Sequence, residues 1–183
     1  MKHKHILFSL MLYPTLCAAS SEIPRKSVCT NKQISASIAD IHHCIDRTSV
    51  TNIETLGGSI PTTHFKYSNG LEYSVAYIPS KLATNGLHTK YNMSVKSFFS
   101  ALYEKNSPND KFQLIRSAYN IDSENKLIKF KHKHFDVYGI IGTSVFDSLY
   151  IVLENDEFLY QISGNFSELE ANNILDKLEL KKI

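Results

Sequence analysis

The residues best suited to chemistry lie in KLIKFKHKHFD, residues 126–136, where His132, His134 and Asp136 fall two apart. On an extended strand such residues share one face, with Cα atoms about 7 Å apart. Two imidazoles at that spacing can converge on one zinc ion, with a carboxylate as third ligand. A metal-dependent hydrolase using His132 and His134 is the chemistry this pattern would serve. Lys129, Lys131 and Lys133 project from the opposite face of the same strand. Lysines in register suit a solvated or edge strand, and they also suit a surface for an anionic partner.

The other chemical candidates are weaker. His-x-His-x-Asp resembles the opening of the metallo-β-lactamase motif, but Val137 stands where that motif continues with a histidine. His42 and His43 precede Cys44, yet neighbouring helix positions do not face each other. An oxidised cysteine, moreover, has no thiolate to offer. Gly57-Gly58-Ser59 lacks the lysine and hydroxyl residue of a phosphate loop, and no Gly-x-Ser-x-Gly elbow occurs. No catalytic residue and no cofactor is therefore assigned. Tyrosine is abundant, ten residues against no tryptophan. Tyr67, Tyr73 and Tyr77 fall on one face of a hairpin, which fits a core. Tyrosine is also favoured where a surface must be apolar and hydrogen-bonding, as at protein interfaces. The partner-facing candidates are thus Tyr67, Tyr73 and Tyr77 with Lys129, Lys131 and Lys133.

The first residues give an address. Lys2 and Lys4 precede an apolar run from Ile6 to Leu12, and Cys17-Ala18-Ala19-Ser20 follows as a run of small residues. This is the layout of a secretory signal peptide, with cleavage near Ala19. The apolar run is too short for a membrane span, which needs about 20 residues. A lipid anchor on Cys17 is disfavoured, because Leu16 precedes it where a small residue is usual. Residues 20–183 read as one domain. Removing two lysines from a chain with 20 basic and 18 acidic residues leaves a neutral one. Neutrality gives no global attraction to nucleic acid.

The two remaining cysteines, Cys29 and Cys44, are a disulfide pair if the chain is exported. Thr30 to Gln33 reads as a capping box. A straight helix from there would carry Cys44 about 20 Å along its axis, whereas a bridge needs Cα atoms within about 7 Å. A later helix start, near Ser35 or Ser37, lets residues 30–34 run back and close the bridge, which is the favoured reading.

Several elements must position these residues. Ile34, Ile38, Ile41 and Ile45 recur at helical spacing and predict an amphipathic helix ending near Asp46. Residues 47–62 read as loop. THFKYSNGLEYSVAYI, residues 63–78, reads as a hairpin with a two-residue turn at Asn69-Gly70. Val95, Phe98, Phe99 and Leu102 form one helical face behind Ser94 as N-cap. Residues 112–119, 126–135, 137–145, 149–154 and 158–163 read as short strands. Ser167 to Glu170 opens a last helix with Ala171, Ile174, Leu175 and Leu178 on its apolar face. The expected class is α+β: a single antiparallel, curved sheet, with N-terminal, middle and C-terminal helices packed mainly on one face.

That order of elements, and LYIVLENDEFLYQISGNFSELEANNILDKLEL (149–180) above all, resembles the Mog1/PsbP-like group of small α+β domains, over roughly residues 63–180. The resemblance implies a binding or accessory role and carries over no catalytic residue. The expected function is that of an exported, periplasmic or secreted, non-catalytic protein acting on a macromolecular partner. That partner is a protein, and the chain serves as an inhibitor, immunity-type protein or envelope accessory factor. A carrier of a small apolar ligand is the alternative.

Overall fold

The structure is a computed structural model that describes residues 29–104, 110–132, 135–143, 146–154 and 157–180. The signal-peptide reading of residues 1–19, Cys17, Lys133 and His134 lie outside the described residues. The class is α+β and every strand pairing is antiparallel.

Two sheets are present, not one. The first elements are β1 (Gln33–Ile38) and β2 (Ile41–Asp46), where a helix was predicted. The isoleucine spacing fits both structures. In the hairpin Ile38 pairs with Ile41 and Ile34 with Ile45, a set symmetric about the turn. Ser35, Ser37 and His42 occupy the alternate positions. Serines and β-branched residues favour the strand solution over the helix. Ala39 makes the turn at φ 48°, and the Asp40 amide donates to Tyr160 Oη at 2.8 Å, pinning the hairpin tip. The disulfide Cys29–Cys44 is formed, with Cα atoms 5.4 Å apart. Thr30 to Gln33 keeps its local bond, Thr30 N donating to Gln33 Oε1 at 2.9 Å, but opens a strand.

The larger sheet begins with β3 (Val50–Leu56), β4 (Thr62–Tyr67) and β5 (Glu72–Pro79). β3 was expected as loop. Its register slips between Val50 and Asn52, and only Val50 and Ile53 pack on the core, so strict alternation is lost. The β4–β5 turn has three residues, 68–70. Tyr67 N donates to Leu71 O at 2.9 Å, and Gly70 takes the positive φ of 88° while Asn69 does not.

Four helices follow: α1 (Ser80–Ala83), α2 (Leu87–Lys90), α3 (Val95–Tyr103) and α4 (Asp110–Ala118). Ser94 caps α3 as expected, accepting from Ser97 N. The helix α4 replaces a predicted strand. Phe112, Ile115 and Tyr119 are three and four residues apart, a helical face that packs on α3 and the sheet. The meander β6 (Lys126–Lys131), β7 (Asp136–Ile141), β8 (Asp147–Val152) and β9 (Phe158–Gly164) closes on β5, giving the order β3-β4-β5-β9-β8-β7-β6. The capping box at Ser167 is present and starts α5 (Glu168–Leu175). This helix stops before Leu178, which belongs instead to β10 (Leu178–Leu180) and pairs with His43.

The helices do not share one face. Phe98, Phe99, Leu102 and Ile115 pack with Tyr138, Tyr150, Val152 and Leu159 on one side. On the other side β1, β2, β10 and α5 cover Phe65, Tyr73, Val137, Ile151 and Ile162. Three layers result. Each fully buried side chain of this size contributes about 1.5–3 kcal/mol.

Candidate functional site

Among the described residues, the face of the large sheet that carries α3 and α4 is packed at one end and opens onto a cleft at the other. Cross-strand pairing lines up Glu54, His64, Ser74, Ser163 and Ser148 across β3, β4, β5, β9 and β8. His64, Ser74 and Ser163 of this row line an open cleft of about 500 Å³, together with Glu72, Phe146 and Asn165. Phe146 is 80% exposed and lines both this cleft and a smaller one of about 220 Å³ beside Ser148 and Tyr150. Its neighbour Asp147 is buried and fixes the local backbone. Asp147 Oδ1 accepts from Gly142 N and Oδ2 from Phe166 N, each at 2.9 Å. Gly164 allows β9 to approach β5, since a Cβ there would sit 2.6 Å from the Glu72 carbonyl oxygen.

Within the cleft, Ser74 Oγ and His64 Nδ1 are 3.1 Å apart. His64 Nε2 is 3.8 Å from Glu72 Oε2, and Lys66 Nζ is 2.5 Å from Glu72 Oε1. The Lys66 ammonium holds the Glu72 carboxyl below the usual carboxylate range. Serine, imidazole and carboxylate have the composition of a nucleophilic relay. However, 3.8 Å is an ion-pair separation and not a hydrogen bond, and Glu72 is already held by Lys66. What the surface offers is a row of hydroxyl and imidazole donors and acceptors beside one exposed ring.

The predicted metal pattern is not assembled by its strand. β6 ends at Lys131 and the chain reverses, so Asp136 pairs opposite Lys131 on β7. Asp136 lies 2.6 Å from Lys96 Nζ and 3.8 Å from Lys129 Nζ. His132 instead stacks on Phe135, with ring centroids 4.6 Å apart. Among the described residues no group of three or more histidine, cysteine or acidic side chains is placed to hold a metal. Lys129 and Lys131 are exposed on an edge strand, and Lys129 also sits 5.5 Å from the Tyr138 ring centroid.

The tyrosine stripe lies inside. Tyr67 and Tyr73 are buried beneath the β1–β2 hairpin, so a partner cannot reach them in this fold. Tyr77 is half-buried and stacks on Phe158 at 4.9 Å. Tyr67 Oη and Tyr73 Oη are 2.7 Å apart, and Tyr73 Oη is 2.5 Å from His43 Nε2. Burial pushes the His43 imidazole down to about 4; the Lys177 carbonyl opposes this and the Lys177 charge adds to it. Tyr73 is pushed up by burial and by Tyr67, and Tyr67 is pushed up by burial. His42 faces the other way, its Nδ1 2.9 Å from Ser37 Oγ.

Sequence reasoning missed His64, Ser74, Ser148, Ser163 and Phe146. A signal existed: EYSVAYI and LYQISG alternate apolar residues with Ser74, Gln161 and Ser163 on strands that pair. Compared with known proteins, the chain matches no protein-family model and no curated protein at a significant level.

Proposed function

We propose that the chain is an exported, non-catalytic binding protein that engages a protein partner at the uncovered end of its sheet. It acts as an inhibitor, an immunity-type protein or an envelope accessory factor, in the periplasm or outside the cell. The observation that carries this reading is Phe146, a ring 80% exposed beside a row of hydroxyls and an imidazole. Interfaces combine an aromatic anchor with polar groups that fix register in this way. An open cleft suits an extended segment of a macromolecule better than an enclosed small ligand. The layout of the first twenty residues and the Cys29–Cys44 bond fit an oxidising compartment. No helix among the described residues is long and apolar enough to cross a membrane. The likeness of residues 63–180 to the Mog1/PsbP-like group points the same way.

The test compares the processed chain with a Phe146→Ser, Ser74→Arg double variant whose circular dichroism is unchanged. Both are used to capture partners from envelope extract. One stoichiometric partner, retained at least tenfold less by the variant, is expected. No stoichiometric partner, or equal retention by both proteins, refutes the reading.

A further inference from the structure

His43 stands apart from every other histidine in the described chain. It lies on β2 with 0% of its surface exposed, yet its ring hydrogen-bonds across to the other sheet, reaching Tyr73 on β5. Tyr73 passes the chain on to Tyr67 on β4. The imidazole therefore joins the three-stranded sheet to the seven-stranded one. Its other nitrogen, Nδ1, is buried and makes no hydrogen bond. Phe65 packs against the ring edge-on, with centroids 5.1 Å apart.

We propose that His43 is an acid-sensitive latch, whose protonation releases β1, β2 and β10 from the seven-stranded sheet. The neutral ring satisfies one nitrogen through Tyr73 and tolerates a bare Nδ1. A protonated ring carries two N–H donors and a charge. The second donor meets at most the neutral Lys177 carbonyl, and a buried charge with no counter-ion is strongly disfavoured. The other groups that face it offset no positive charge. From β5 and β4 come Tyr73 and Tyr67, both neutral phenols; from the segment after α5 comes Lys177, a cation that also lies 5.7 Å from the Tyr67 ring centroid. On β2 itself the neighbouring Cys44 is tied in the disulfide. Among the described residues, the one charge acting on the ring is that of Lys177. Release uncovers Phe65, Tyr67 and Tyr73, an aromatic face hidden at neutral pH. The disulfide keeps the freed hairpin tethered as a unit. Histidine protonation serves as a switch only where it biases a separable element, and here the small sheet is that element.

Hydrogen exchange on the purified, oxidised chain tests the latch at pH 7, 5.5 and 4, corrected for the intrinsic rate. Amide protection in β1, β2 and β10 should fall roughly a hundredfold between pH 7 and pH 4. Protection in β7 and β8 should change much less. A His43→Gln variant, which retains a side-chain hydrogen-bonding group without the titration, should lose the difference between sheets. Should that variant not fold, an NMR titration of the wild-type His43 ring decides: a midpoint well below its ordinary value supports the latch. Loss of protection in both sheets together, an undiminished acid response in His43→Gln, or a ring titrating at or above its ordinary value overturns it.

Discussion

At one end of the helix-bearing sheet face, Tyr138, Tyr150, Val152 and Leu159 lie under Phe98, Phe99 and Leu102. At the other end, His64, Ser74 and Ser163 open onto a cleft of about 500 Å³. Both ends belong to the same seven-stranded sheet and meet on β9, with the same pleat and hydrogen-bond ladder. What differs is side-chain character, which decides whether a helix can be held there. The covered end should therefore report on stability. The open end should report on binding.

The largest effect is expected at the covered end. Phe99 is fully buried and stacks on Tyr150 at 4.8 Å and Tyr138 at 5.5 Å. Phe99→Ala should cost about 3–5 kcal/mol in urea unfolding. The third layer supplies the next two tests. Reducing or replacing Cys29–Cys44, which closes a loop of 15 residues, should cost about 3 kcal/mol. Acid should act on the same layer. His43 is held down at about 4, so the unfolded chain takes up the proton first as pH falls. Its contribution is intact above pH 6.5 or so, declines as pH falls toward about 4, and amounts to about 3 kcal/mol. Unfolding midpoints measured from pH 7 to pH 4 in wild type and His43→Gln check this directly. The smallest effect on stability belongs to the open end. Ser74→Ala and Phe146→Ser should each change stability by less than about 0.5 kcal/mol while weakening partner retention. A large stability loss at either position would merge the two ends and remove the contrast.

The parts of the fold that were legible share a simple cause. Capping at Ser94 and Ser167 depends on a few adjacent residues, and both caps form. The 126–163 meander was readable because β-rich runs are separated by turn residues. Other elements depend on information that no local window holds. Ile34, Ile38, Ile41 and Ile45 satisfy a helix period and a hairpin's mirror symmetry equally well. Phe112, Ile115 and Tyr119 are β-type residues by propensity, and only their packing on α3 and the sheet makes them a helix face. β3 hides behind a register shift. The site was less legible than the fold. Tyr67 and Tyr73 share a face as expected, but the covering hairpin turns that face inward. His132 and Asp136 read as one strand face in sequence, but β6 ends at Lys131 and Asp136 opens β7. Ser74, Ser163 and Ser148 are ordinary serines until two strand registers place them side by side.

Site-specific photocrosslinking in intact cells tests the binding surface most directly. The probe is placed at position 146 and, as control, at position 114, where Leu114 is 73% exposed on α4. One discrete protein adduct from position 146, absent from position 114, is the expected result. No adduct from 146, or the same adducts from both positions, contradicts a binding surface at the open end of the sheet.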